Sequence, residues 1–157
     1  MATARNPGVS KNVRTSEDAG QLTLNHFEFD LAASYRPTSF AATTSDRIQI
    51  GEVPAGEVLV PHLCRIAVPV LDTHNSPTGD YSIGTADDAD ALKGTAASET
   101  AVVLSGEDLL VQPDGVGSRD QPTPIYLHAL GAHATLAATG KVVFDQVSRP
   151  FDATIDG

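Results

Sequence analysis

Hydrophobic residues recur at every second position along much of the chain, which is the period of a β-strand rather than of a helix. Ile48 and Ile50 alternate with polar neighbours, and Ile125, Leu127 and Ala129 repeat the spacing near the other end. Segments rich in glycine, proline and small polar residues separate these stretches, as turns do. The pattern therefore predicts an all-β protein.

Eight stretches are predicted as strands, and the turns between them indicate how they pair. Residues 53–56 form a turn after the second stretch, because proline presets φ and glycine tolerates positive φ. Pro61 and Pro69 are predicted at an edge, a bulge or a strand end, since proline has no N–H to donate. Strand number and turn spacing favour an antiparallel β-sandwich, jelly-roll-like, over a β-α-β arrangement. The predicted strands lie within residues 21–32, 39–53, 57–71, 80–85, 100–105, 108–112, 124–130 and 140–147.

One short helix is predicted over Asp87–Ala97. Thr85 stands where an N-cap residue would accept a backbone N–H. Asp87 and Asp88 fall in the first turn, where the helix dipole favours negative charge. Gly94 provides a stop signal.

The chain divides into three predicted regions. Residues 1–20 are polar, lack apolar periodicity and are expected to form a flexible N-terminal arm, or an arm that becomes ordered on a neighbouring subunit. Residues 21–150 form a single sandwich domain, and residues 151–157 form a C-terminal tail. The arm has a net charge of +1, from Arg5, Lys11 and Arg14 against Glu17 and Asp18.

Net charge argues against two classes of partner. The 157 residues carry a formal charge of -10. Phosphate backbones and anionic membrane surfaces are bound largely through Lys and Arg, so we predict no nucleic-acid partner and no membrane partner. Residues 71–120 hold ten acidic and two basic residues, a net of -8. This segment is either a solvated face or a surface that attracts a basic partner.

The single cysteine, Cys64, cannot form an internal disulfide. It lies in an apolar stretch, and a small buried core residue is favoured over a nucleophile paired with His62. No apolar run approaches the roughly 18 residues of a membrane helix. The first residues also lack the apolar segment of a secretory signal. We therefore expect synthesis in a cytoplasm.

The histidines do not show metal-ligand spacing. They are His26, His62, His74, His128 and His133. No pair is separated as His-x-His or His-x3-His, and the compact motif of metal-binding cupins is absent. Surface or core histidines are therefore expected, with no metal site.

Two acidic segments contain carboxylates without the pattern of a calcium loop. Counting from Asp87, Leu92 stands where an EF-hand loop needs glycine, and Ser98 stands where it needs glutamate. Charge at a helix start explains the run from Asp87 to Asp90. Residues 114–120 are interpreted as a solvated loop.

Motifs of enzyme chemistry are absent from the sequence. It contains no Gly-x-Ser-x-Gly elbow, dinucleotide-binding glycine motif or phosphate loop. It has no tryptophan and three tyrosines, so there is little support for stacking against sugar rings. We predict no enzyme activity, no catalytic or cofactor-binding residue and no cofactor.

Four segments carry a resemblance to a known class of protein. They are residues 50–58 (IGEVPAGEV), 82–92 (SIGTADDADAL), 124–130 (PIYLHAL) and 138–144 (ATGKVVF). Together they resemble capsid decoration (cement) proteins of tailed bacteriophages and related small virion proteins. The resemblance implies a non-enzymatic protein on the capsid surface of the virion, made in the host cytoplasm. It further implies a homotrimer that binds the major capsid protein and stabilises the head.

Two alternatives remain open. The first is another virion component with the same fold, such as a head fibre base or a tail adaptor. The second is a metal-dependent cupin-type enzyme or a sugar-binding module. Bound metal or loss of stability in a chelator would favour the cupin.

Overall fold

Two large β-sheets packed face to face form the body of the structure, a computed structural model. It describes residues 3–5, 10–14, 22–33, 40–41, 46–71, 80–97, 100–109, 115–133 and 136–152. Nearly all strand pairs are antiparallel, and the large apolar side chains lie between the sheets. The predicted all-β sandwich is therefore confirmed.

The first sheet, sheet A, contains five strands within the described part of the chain. They are β1 (Thr3–Arg5), β5 (Arg47–Val53), β8 (Asp80–Gly84), β9 (Lys93–Ala97) and β12 (Thr123–Ala129). Their order is β1-β5-β12-β8-β9. The β1–β5 pair is parallel, and the other neighbours are antiparallel.

The other strands of the described residues are β2 (Ser10–Arg14), β3 (Thr23–Asp30), β4 (Phe40–Ala41), β6 (Glu57–Leu59), β7 (Arg65–Val68), β10 (Val102–Ser105), β11 (Gly117–Ser118), β13 (Ala132–His133) and β14 (Lys141–Pro150). The second sheet, sheet B, has the order β10-β7-β14-β3-β2, with β6 beside one end of β14 and β11 beside β6. A small separate pair joins β4 to β13.

The core forms where the inner faces of the two sheets meet. Phe29 and Phe144 from sheet B are fully buried, as are Ile48 and Leu127 from sheet A. Phe27 packs edge-on against Phe144, with ring centroids 6.5 Å apart. Burying side chains of this size supplies most of the stabilisation available to a domain without a disulfide.

Successive strands cross repeatedly between the sheets, as the chain does in a jelly roll. The chain passes from β1 in sheet A to β2 in sheet B, and from β9 in sheet A to β10 in sheet B. These two crossings join edge strands of one sheet to edge strands of the other. The predicted stretches 21–32, 124–130 and 140–147 correspond to β3, β12 and β14.

The predicted helix over Asp87–Ala97 is wrong. Thr85 Oγ1 does accept the N–H of Asp88 at 3.1 Å, as an N-cap would. Leu92 N, however, donates to Ile83 O at 2.9 Å, so the chain reverses. Lys93–Ala97 then pairs with β8 as strand β9. The capping signal was local, whereas the thin alanine stripe gave a helix no apolar face to bury.

Two predicted strands also change. Stretch 57–71 is divided into β6 and β7 by a 3-10 turn at Pro61–Leu63, in keeping with proline at a strand end. Asp108, expected to begin the strand 108–112, lies in a 3-10 turn at Gly106–Asp108. Residues 110–112 are outside the described part.

Among the described residues, no helix is long and apolar enough to cross a membrane.

Part of the predicted N-terminal arm lies in the sandwich. Thr3–Arg5 forms β1 on an edge of sheet A, and Ser10–Arg14 forms β2 on an edge of sheet B. The remaining residues of 1–20 lie outside the described residues. In the predicted tail, Phe151 N donates to Gly56 O at 2.8 Å, and residues 153–157 are not described. Flexibility of the arm and separateness of the tail stay predictions.

Candidate functional site

A charged row crosses the outer face of sheet B on strands β3, β14 and β7. His26 is the centre of the row, with Nδ1 2.6 Å from Asp145 Oδ1 and Nε2 3.1 Å from Glu28 Oε1. Lys141 Nζ lies 3.4 Å from Glu28 Oε2, and Arg65 Nη1 lies 3.8 Å from Asp145 Oδ2. Positive and negative groups therefore alternate along the row.

The two carboxylates favour the doubly protonated ring of His26. Each ring nitrogen faces a carboxylate oxygen, and both can donate only when the imidazole carries a proton on each. The hydrogen bond to Asp145, followed by that to Glu28, raises the pKa of His26 above its ordinary 6.5. The hydrogen bond from His26, with help from Lys141, lowers the pKa of Glu28.

We expect the row to make the stability of the protein depend on pH. Because folding raises the pKa of His26, its contribution is complete below the ordinary pKa of 6.5 and is lost as pH rises through the higher folded value. The ring is well exposed, so the loss should stay below about 1 kcal/mol. Urea unfolding of wild type and His26→Gln across this pH range measures it.

His62 provides a matched position for the same substitution, because it is exposed on the 3-10 turn and lies outside the charged row. His62→Gln leaves every contact of the charged row in place, so the pH-dependent contribution of the row should remain, whereas His26→Gln should remove it. Equal curves for wild type and His26→Gln would contradict the prediction.

A second cluster lies on the outer face of sheet A. The Arg47 guanidinium stands 4.1 Å from the centre of the Tyr126 ring, and the His128 ring meets Tyr126 edge-on at 5.7 Å. His128 Nε2 lies 2.8 Å from Thr85 O and therefore donates to that carbonyl. Burial lowers the pKa of His128, which favours this neutral form. His128 thus acts as a structural anchor for residues 85–92.

The anchored segment packs tightly on β8. Ser82 Oγ donates to Ala89 O at 2.8 Å. Gly84 provides the space beside it, because a Cβ at this position would collide with the backbone of Asp88 and Ala89. The acidic run predicted at a helix start therefore lies in a turn held against sheet A.

The carboxylates of this turn interact with each other. A side-chain hydrogen bond with Asp90 raises the pKa of Asp88. In the second acidic segment, Arg119 Nε donates to Asp120 Oδ1 at 3.3 Å, while Asp114 is outside the described residues. Among the residues with described positions, no group of three or more His, Cys, Asp or Glu is placed to hold a metal ion.

Cys64 lies between β6 and β7, where the backbone pairing with β14 is interrupted, and its thiol makes hydrogen bonds there. Its Sγ accepts a hydrogen bond from Val147 N at 3.3 Å and donates to Val60 O at 3.3 Å. Burial raises the pKa of the thiol to about 11. The side chain is therefore placed as part of the core, while its predicted neighbour His62 is exposed.

We expect this thiol to resist modification in the folded protein. With a pKa of about 11, roughly one thiol in a thousand is ionised at about pH 8, and the sulfur is buried. Ellman's reagent should remain unreacted with native protein and titrate one thiol in denaturant. Rapid reaction of the native protein would contradict the prediction.

Buried amides lie side by side on the inner face of sheet B. Asn25 is paired in register with Gln146 on one side and Asn12 on the other. Gln146 Nε2 donates to Glu52 O at 2.9 Å. Neither side-chain polar atom of Asn25 has a hydrogen-bond partner, nor does Gln146 Oε1. Unpaired buried amides cost stability, so the side chains of Asn25 and Gln146 lower the stability of the core on β3 and β14.

The structure does not bring the histidines of the sequence together. His26 and His128 lie on different sheets, and His62 lies on the 3-10 turn before β7. His74 and the side chain of His133 are outside the described part. Sequence reasoning missed the charged row because its members are neighbours only through the register of β3, β14 and β7.

The arrangement of the two sheets recurs in phage capsids. A chain in the capsid of Ralstonia phage GP4 superposes on 97% of this chain and 100% of its own length, with TM-score 0.62 and 15% sequence identity. The two chains share one fold. A chain in the capsid asymmetric unit of cyanophage Pam1 matches over 92% of this chain and 97% of its own length, with TM-score 0.54 and 16% identity.

The similarity is found by comparing structures and not by comparing sequences. No protein-family model matches the chain, and no curated protein matches it. Identity near 15% establishes a shared fold alone. The resemblance inferred from the four segments is thus confirmed at the level of a fold shared with phage capsid chains.

Proposed function

We propose that the protein is a non-enzymatic decoration protein that binds the outer surface of a phage capsid and stabilises the head. The observation that carries the proposal is the match over the whole length of a chain from the phage GP4 capsid. The match covers 97% of this chain and 100% of that chain, so the two chains are of similar size. We propose that this chain is likewise located in a capsid.

The physical basis of such stabilisation is preferential binding. A ligand that binds the assembled shell, and not its separated subunits, makes disassembly less favourable by mass action. Weak contacts repeated around a symmetric shell gain strength through effective concentration. We propose that the major capsid protein is the partner and that the decoration protein associates with itself as a homotrimer.

The surface of the chain suits contact with a shell. The large apolar side chains exposed in the described residues are Leu24, Leu63, Val70, Val103 and Leu130. They are scattered over several elements, and the outer face of sheet B also carries charged groups such as Arg65 and Lys141. Small apolar contacts with polar surroundings are typical of non-obligate interfaces.

The experiment mixes purified full-length protein with expanded capsids that lack it. We expect saturable co-sedimentation and a higher melting temperature of the capsids. An unrelated acidic protein of similar size controls for trapping in the pellet. Absence of both effects would overturn the proposal, as would electron microscopy of labelled virions that placed the protein on the tail.

A further inference from the structure

Sheet B ends in two strands whose outer edges are free within the described part of the chain. β10 pairs with β7 on one side, and β2 pairs with β3 on one side. No described strand pairs with the other side of either. An open edge presents a row of backbone N–H and C=O groups that can pair with another strand.

The β10 edge lacks the protection that edge strands usually carry. Residues 100–105 contain neither a charge nor a proline, and Val103 is 50% exposed. The comparable edge of sheet A, β9, carries Lys93 and Gly94 and pairs with a register shift. Since proteins normally blunt free edges with charges or irregularities, the regular, uncharged β10 edge is suited to pairing.

Negative charge on both sides of β10 disfavours pairing between the β10 strands of two copies. Glu99 precedes the strand in the sequence, and Glu107 follows it on an exposed 3-10 turn. A pair of two β10 strands would bring together two segments that are both flanked by acidic residues in the sequence. Like charges placed opposite each other are destabilising, so a basic strand is the better partner.

The other edge of the same sheet supplies such a strand. β2 carries Lys11 and Arg14. Four antiparallel steps separate β2 from β10, so the two edges run in the same direction. A neighbouring copy rotated about an axis along the strands would pair them in parallel, with Arg14 and Glu107 at the same end.

We propose that β10 of one copy pairs with β2 of the next copy, so that sheet B continues from subunit to subunit. The contact joins two different surfaces, and such a contact closes into a ring when the rotation between copies allows it. The inference deepens the self-association of the proposed function and rests on it.

Charge reversal tests the pairing of the two edges. Arg14→Glu and Glu107→Arg should each raise the dissociation constant for self-association about fivefold, and the double variant should restore it. Analytical ultracentrifugation of the full chain over a concentration series measures the constant. Both positions are suited to substitution, because Glu107 is exposed and Arg14 ends an edge strand.

A lysine on the edge itself gives a stronger test. Val103→Lys should raise the dissociation constant more than about tenfold, because pairing would desolvate the new charge. Thr95→Lys is the matched control, since Thr95 is exposed on the β9 edge of sheet A, and it should leave association unchanged. Circular dichroism verifies that each variant is folded.

Three results would overturn the inference. They are a wild-type protein that stays monomeric at millimolar concentration, equal effects of Val103→Lys and Thr95→Lys, and failure of the double charge reversal to restore association. The last result would indicate that β10 meets a surface other than β2. Monomeric protein that still co-sediments with capsids would leave the proposed function standing, so the two failures are distinguishable.

Discussion

Replacing Gly84 with alanine is expected to lower the free energy of unfolding by about 3 kcal/mol. The new Cβ would collide with the backbone of Asp88 and Ala89, and backbone yields less readily than the end of a flexible side chain. Residues 85–92 would have to lift from sheet A. That movement would break the hydrogen bonds from Ser82 and His128.

Gly94 offers a control within the same part of the chain. A Cβ at Gly94 meets nothing within 4 Å, so Gly94→Ala should change stability by less than about 1 kcal/mol. Urea unfolding followed by circular dichroism compares the two variants. If they are equally stable, residues 85–92 do not pack on β8 as described.

Truncating Phe144 to alanine is expected to cost about 4 kcal/mol. The ring is fully buried at the centre of sheet B and packs edge-on against Phe27. It also reaches across the core to Gly51, where an added Cβ would lie 3.0 Å from Phe144 Cδ2. The cavity left by alanine would therefore open between the two sheets. A domain with the usual 5–15 kcal/mol of stability would be severely weakened.

Val143→Ala is a control that tests whether the loss depends on burial of the side chain or only on its place in β14. It lies on β14 beside Phe144 but is only partly buried, so Val143→Ala should cost about 1 kcal/mol. Thermal and urea unfolding should rank wild type, Val143→Ala and Phe144→Ala in that order. Similar losses for the two variants would indicate that the inner face of β14 does not form the core.

Alternation in the sequence was sufficient to predict several strands. Val142, Phe144 and Gln146 share one face of β14, and Lys141, Val143 and Asp145 share the other. Side chains on a strand point alternately to opposite faces, so this assignment follows from local geometry. The same reasoning failed over Asp87–Ala97, because a capping threonine followed by acidic residues suits a turn as well as a helix.

The candidate site was less predictable than the strands. His26 and Asp145 are 119 positions apart, and a slip of one residue in the pairing of β3 with β14 would place them on opposite faces. Cys64 was correctly interpreted as a buried residue from its apolar neighbours. Its hydrogen bonds to Val60 and Val147 depend on the interruption between β6 and β7, which sequence spacing does not define.

The sequence by itself determined the all-β class, the alternating faces of β12 and β14 and the uneven charge. Only the tertiary structure decided which strands are neighbours, that β2 and β10 occupy opposite edges of one sheet, and that residues 85–92 lie on sheet A. The physical reason is the sequence distance over which each effect acts. Alternation and turn preference act within a few residues, whereas strand pairing is selected by burial of the whole core.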